Sequence, residues 1–513
     1  MDYLSGLNAS FLHLETPSVP MHAGSLLMLD VPDERRTGFL DELQRYVTTR
    51  MPAVPLLTRK LQPIPFGLSN PVWITDENVD LDHHVRSHTL AGEGSMHDLE
   101  RLVATLHAVP LDRSRPLWEL HLVDGLKEGR LALYAKFHHA ALEGIGATAI
   151  MQALAETVPG AGSAAPADKA APAPGHAPGP MSLLASSLAH AVGQAFDMAR
   201  HMPEGLRTMA SMRGRMPSAA PRTPFNVSVG AERVFATLQL PLDELSLAAR
   251  AYAGTVNDAL LAVVDGALRR YLQAHGATPD RALVAAVPVS LRERDGGHLS
   301  SQVSLWRTEL ATAMPDAGSR MRAIVHHTHA MRSEVSTLRP LVLSDFPGLG
   351  VPWMMGGAAM VAEHARLAEN MPPLANLIVS HVAGPAHPPH IAGAGVLATY
   401  PVSIVTHGLA LNITAQSCCD MLDIGIVAAA VAVPDVQRLV DDLRAAHAEL
   451  LAAARALEPE PLPDTDSAHE GKTTAGKAGE SAAAGPPPAS AGAARRNGGA
   501  APAASRGARS KRG

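Results

Sequence analysis

The stretch from Leu131 to Leu154 constrains the chain most, because its hydrophobic period changes in the middle. Leu131, Leu133, Ala135 and Phe137 alternate with Tyr134 and Lys136, the period-two pattern of a strand with one apolar face. After Gly144, Ile145, Ala149, Ile150 and Leu154 recur at helical spacing. The residues between the two periods therefore lie in a strand-to-helix turn.

The turn between the two periods reads His138-His139-Ala140-Ala141-Leu142-Glu143-Gly144. Continuing the alternation places His139 on the apolar face and His138 with Lys136 on the other, so the two imidazoles are expected to do different work. A histidine among apolar neighbours exists as a free base at neutral pH, and a positioned base contributes roughly 100- to 10,000-fold in rate. A structural histidine fits the same face, and with 25 histidines in the chain most have no catalytic task.

At 513 residues with 46% hydrophobic content, the chain is long enough for two cores. Residues 1–160 read as alternating strands and helices. From Gly160 to Pro180 the sequence is mostly Ala, Gly and Pro, a linker, and Met181 to Met216 follows with the spacing of a basic amphipathic helix, making 161–221 a connection. A second domain is expected over 222–458, with strands at Arg233–Leu240, Ala282–Val289 and across Leu411–Val427. Helices are expected at Asn257–Ala274, with Asn257 as N-cap, and at Pro434–Leu457. Residues 459–513 have the composition of a disordered tail with basic residues near its end, and are expected to be dispensable for chemistry.

A net charge of -6 excludes the general basic field that nucleic-acid binding requires. The adjacent Cys418 and Cys419 cannot join distant parts of a fold, which fits a reducing cytoplasm. Met1 to Gly6 lacks the features of a signal peptide, and the uncharged run Phe346–Ala362 is shorter than the roughly 20 residues a spanning helix needs, so any membrane contact is expected to be peripheral. His83, His84 and His88 lack a carboxylate or cysteine at ligand spacing, so no metal is expected. Pro116 and Trp118 read as packing residues.

HHAALEG resembles the HHxxxDG motif of acyltransferases that share the chloramphenicol acetyltransferase fold, and the chain is similar to one branch of them, the bacterial wax ester synthase/diacylglycerol acyltransferases. The resemblance spans about residues 1 to 455. It is carried also by MDYLSGLNASFLHLETPSVPMHAGSL (1–26), VDLDHHVR (79–86), PLDRSRPLWELHLVDGL (110–126), VNDALLAVVDGALRRYL (256–272), VPVSLR (287–292), VSHVAGP (379–385) and LNITAQS (411–417), in order and at spacing. It implies two α/β domains with mixed sheets meeting along a channel, and transfer of a long-chain acyl group from acyl-CoA to diacylglycerol or a fatty alcohol. Acyl-CoA is then a substrate and no cofactor is needed. The resemblance makes His139 the general base, with His138, Glu143 and Gly144 supporting the turn.

Glu143 stands where the family has Asp, a residue that braces the turn against an arginine, for which Arg292 is the candidate here. Asn257 and Asp258 are placed near the active site by the resemblance, although helix capping alone explains them and is the role read here. In VSHVAGP, His381 and Ala383 replace the family's Asn and Pro. A carrier-dependent condensation-type enzyme and a catalytically weak lipid-binding homologue remain as alternatives, as does contact of the basic helix or tail with a membrane or lipid-droplet surface.

Overall fold

The computed structural model describes residues 2–142, 150–156, 218–291, 302–338 and 351–457, less positions 68, 128, 152, 153 and 386, together with Gly179. The expectations for the linker, the helix at 181–216 and the tail lie outside the described residues.

Two six-stranded mixed sheets organise the chain. The strands are β1 (His22–Asp30), β2 (Arg59–Gln62), β3 (Val72–Thr75), β4 (Val85–Thr89), β5 (Trp118–Asp124), β6 (Leu131–His138), β7 (Arg233–Pro241), β8 (Val284–Leu291), β9 (Gln302–Glu309), β10 (Leu377–Val382), β11 (His390–Ile391), β12 (Ala394–Val402), β13 (Leu411–Cys418) and β14 (Met421–Ala429). The first sheet runs β11-β12-β1-β6-β5-β4 and the second β7-β14-β13-β10-β8-β9, while β2 and β3 form a separate ribbon. In the first only β4 and β5 are parallel; in the second β10 lies parallel to both β13 and β8.

The segment 222–458 is not self-contained, as a division by sequence order had implied. Its strands β11 and β12 complete the first sheet, β12 pairing with β1 in the register Leu26 to Tyr400. The physical reason lies in β1, where Leu26 to Leu29 are all buried: a strand enclosed on both faces needs a hydrogen-bonding neighbour on both edges. The sheets then meet through β12 and β14. The Thr399 N–H donates to Asp423 Oδ2 at 2.6 Å, and Gln239 Nε2 donates to Oδ1 at 2.7 Å. Burial pushes the Asp423 carboxyl pKa up, and these two bonds only partly offset that rise.

The main helices are α1 (Gly6–Leu14), α2 (Phe39–Arg50), α3 (Met96–Ala108), α4 (Leu242–Ala251), α5 (Val256–Ala274), α6 (Ala317–Leu338), α7 (Val351–His364) and α8 (Val436–Arg455). Phe39, Leu43 and Val47 of α2 share a core with Leu131, Leu133, Ala135 and Phe137, the face of β6 expected to be apolar. The opposite face is also buried. Leu99 and Val103 of α3 pack in a core with Tyr134, and Lys136 is fully enclosed, its Nζ donating to the carbonyls of Leu106 (2.9 Å) and Val109 (2.5 Å). The polar pattern of that face therefore reflects internal partners, not solvent.

Helix α5 starts one residue earlier than expected, and its N-cap is Thr255, not Asn257. Thr255 and Asp258 form a reciprocal capping box: Asp258 Oδ2 accepts from the Thr255 N–H at 2.8 Å, and Thr255 Oγ1 accepts from the Asp258 N–H at 3.3 Å. The acid three residues after a threonine decides the cap, leaving Asn257 inside the first turn.

Candidate active site

Strand β6 carries His138 into place and the chain then leaves strand geometry, since His139 opens a tight 3-10 turn, His139–Leu142. The alternation therefore stops at His138, and the expected opposite-face argument has no strand to rest on at His139. Enclosure separates the two instead. His138 is fully buried, whereas His139 as a residue is only half-buried.

Two contacts fix His139. Its main-chain N–H donates to the Met21 carbonyl at 2.8 Å, and its ring stacks on Phe11 of α1, centroids 3.9 Å apart and planes 24° from parallel. Nδ1 is buried and bonds no neighbour among the described residues. Burial, then the charge of His138, pushes the pKa down to about 4, against a small rise from its own main-chain carbonyl. At neutral pH His139 is thus a free base.

Beside it lies a buried carboxylate, Glu15. Its Oε1 accepts from the Met21 N–H at 3.0 Å and lies 3.3 Å from His138 Nε2 and 3.4 Å from His22 Nε2. Its Oε2 accepts from Arg113 Nε at 3.0 Å and from an Arg113 terminal nitrogen at 2.5 Å. Burial alone would raise the Glu15 pKa, but the histidine contacts and the Arg113 charge outweigh it and hold the group well below the usual carboxylate range. Behind His22, His107 Nδ1 meets the Tyr134 hydroxyl at 2.7 Å and His107 Nε2 lies 3.1 Å from the Ser403 carbonyl. Burial pushes His22 down to about 4 and His107 well below its ordinary value.

These depressed values link stability to pH. For His22 and His139 the unfolded chain, near 6.5, binds protons that the folded protein does not between about pH 4 and 6.5, and His107 is shifted in the same direction, so unfolding free energy rises with pH across that window. The contribution is complete above pH 6.5 and is lost on acidification. Thermal melts followed by tryptophan fluorescence should show Tm falling by several degrees from pH 7 to pH 5. A flat or rising Tm would show that these imidazoles are not held neutral.

Of the other expected site residues, Glu143, Gly144 and Arg292 lie outside the described residues. Asp258 is fully buried and, besides its cap, accepts from Thr328 Oγ1 (2.7 Å) and from Arg332 (3.0 Å), so it ties α5 to α6. These partners are not in the histidine turn. His381 sits in β10 opposite Ala415, with Nε2 buried and unpartnered among the described residues. Gly384 follows where the main chain runs against the Ser417 carbonyl and leaves no room for a Cβ. Trp118 is fully buried, donating from Nε1 to the Leu57 carbonyl at 3.1 Å, and His84 stacks on it with ring centroids 4.3 Å apart. His83 contacts Arg86, and His88 bonds His121.

Phe11, Glu15, His22 and Arg113 escaped the reading of the sequence as site residues. One signal was present: Glu15 is the only acid between Asp2 and Asp30, in an otherwise apolar opening.

Comparison with known proteins agrees with this geometry. The wax ester synthase/diacylglycerol acyltransferase catalytic domain matches residues 4–260, and the C-terminal domain of the same family matches residues 300–450. A putative diacylglycerol O-acyltransferase of Mycobacterium tuberculosis (strain ATCC 25618 / H37Rv) is 35% identical over 460 residues, 87% of this chain and 99% of that protein. A putative diacylglycerol O-acyltransferase of Mycobacterium bovis is 32% identical over 457 residues, covering 88% of this chain and 99% of the relative. The solved wax ester synthase/diacylglycerol acyltransferase from Marinobacter aquaeolei VT8 superposes with a TM-score of 0.64 at 27% identity, over 89% of this chain and all of that one. Two mixed sheets with a histidine turn at the end of a central strand have the chloramphenicol acetyltransferase-like architecture, and with both domain matches in sequence order the chain belongs to the wax ester synthase/diacylglycerol acyltransferase family of acyltransferases.

Proposed function

We propose that the protein transfers a long-chain acyl group from acyl-CoA to the hydroxyl of diacylglycerol or a fatty alcohol, with His139 as general base. The observation that carries this reading is the imidazole of a half-buried residue, the second histidine of the family motif, kept unprotonated at neutral pH by its surroundings. His139 Nε2 takes the acceptor's hydroxyl proton while the oxygen attacks the thioester carbonyl. Collapse of the tetrahedral intermediate breaks the carbon–sulfur bond, and the proton on Nε2 passes to the departing thiolate. The products are the ester and free CoA, and the histidine returns to its starting state without a covalent intermediate.

A depressed pKa keeps the base available but makes it a weaker proton acceptor, so binding both substrates in attack geometry must supply a large share of the rate, about 7 to 11 kcal/mol of barrier when alignment is good. Acyl-CoA is consumed as a substrate, and no prosthetic group enters these steps. The acceptors reside in lipid, and among the described residues no helix is long and apolar enough to cross a membrane. Helix α7 supplies a surface for peripheral contact: Met354, Met360 and Val361 are 70%, 58% and 62% exposed, while Gly356 packs beside the His13 carbonyl of α1, the helix that carries Phe11.

The test is an assay of purified protein with oleoyl-CoA and, separately, dioleoylglycerol and hexadecanol, following ester and free thiol together. Ester and thiol should appear in equal amounts. Thiol release without ester, or transfer only from a carrier-bound thioester, would refute the reading.

A further inference from the structure

We infer that Glu15 is a positioning residue for the acyl-transfer base, holding His139 from both sides through His138 and Met21. This rests on the proposed role of His139. On one side, the Ala140 N–H donates to His138 Nδ1 at 3.0 Å, which commits the Nδ1 lone pair and leaves Nε2 as the ring's other polar atom. That Nε2 faces Glu15 Oε1 across 3.3 Å. The carboxylate thus sets its charge against the buried His138 ring, and His138 in turn holds the main chain at Ala140, immediately after His139. On the other side, Glu15 accepts from the Met21 N–H at 3.0 Å, and the Met21 carbonyl accepts from the His139 N–H at 2.8 Å. One carboxylate therefore restrains the residue that anchors His139 and the residue that follows it.

Arg113 completes the device. It donates twice to Glu15 Oε2 and once, at 2.9 Å, to the Leu12 carbonyl at the end of α1. The same guanidinium that pairs with Glu15 thus also secures the helix whose Phe11 stacks on the His139 ring. The Glu15 side chain is 5% exposed, so solvent offers it no alternative partners. Carboxylates that orient a functional histidine through its second nitrogen typically affect performance by about 10- to 100-fold when removed, and here the effect passes through one more residue.

The experiment is a kinetic cycle on the full-length protein with oleoyl-CoA and dioleoylglycerol: wild type, Glu15→Gln, His139→Ala and the double variant. Glu15→Gln keeps size and an acceptor for the Met21 N–H but removes the charge that holds His138. It should lower kcat about 10- to 100-fold with KM for both substrates within about twofold. In the His139→Ala background, Glu15→Gln should cost nothing further, because no base remains to position. Wild-type kcat in Glu15→Gln would overturn the inference, as would an equal loss in both backgrounds, since Glu15 would then act on something other than His139. If His139→Ala itself keeps near-wild-type activity, the assignment of the base fails, and that outcome is distinct from either. Should Glu15→Gln not fold, Glu15→Asp replaces it: a kcat loss that disappears in the His139→Ala background sustains the inference, and its absence overturns it.

Discussion

His139→Ala should lower kcat by about 100- to 10,000-fold while leaving the fold intact. The residue is half-buried, its Nδ1 bonds no other described residue, and its anchor to Met21 runs through the main chain, which alanine preserves. The substitution removes the ring's stack on Phe11, worth about 1 kcal/mol. Tm should therefore move little while turnover collapses. His138→Ala should do the reverse in part: it removes one of the groups around the Glu15 carboxylate and opens a cavity, so stability falls along with activity. Steady-state kinetics at equal folded fraction, with melting curves for both variants, separates the two roles. If His138→Ala alone abolished turnover at unchanged Tm, the assignment would have to be exchanged.

Gly425→Ala should be among the most destabilising single substitutions available, although it adds only a methyl group. Gly425 of β14 lies directly against the Pro401 carbonyl of β12, and a Cβ there would overlap main-chain atoms of Pro401. Main chain on both sides belongs to a central strand and cannot move aside like the end of a flexible side chain. Relief requires the sheets to separate where Thr399 and Asp423 bond, leaving the buried Asp423 carboxylate with Gln239 but without the Thr399 N–H. A cost of about 3 kcal/mol is expected, at the upper end for overpacking. Thermal melts should show a Tm several degrees lower, and because the sheets frame the site, kcat should fall as well. A wild-type melt would mean that the sheets are not in such close contact.

The strands and helices that face one core were legible in the sequence because their periods are local. Strand β7, the pair β13 and β14, and helix α8 all fall where alternation or helical spacing placed them. Two features were hidden, each for a reason of physics. The far face of β6 looked polar because Lys136 and Tyr134 carry polar atoms, yet their partners are Leu106, Val109 and His107, supplied by α3 and the loop after it. Pairing of β12 with β1 was hidden because register across hundreds of residues leaves no local mark; only the unbroken apolar run Leu26–Leu29 hinted that β1 needs neighbours on both edges. The site divided in the same way. The motif made His139 readable, whereas Glu15 gains its meaning from Met21, His22, Arg113 and His138, which the fold gathers from separate segments.

The central claim is that His139 is a base kept neutral by burial, and the pH dependence of kcat/KM for wild-type protein tests it most directly. The free enzyme's essential base sets the acid limb of that profile. With the His139 pKa pushed down to about 4, kcat/KM should be level from pH 8 to below pH 6 and decline only as pH approaches the value of the buried base, over the range in which tryptophan fluorescence shows the protein folded. An inflection near pH 6.5, the value of an ordinary solvated histidine, with the rate falling tenfold per unit below it, would contradict the account.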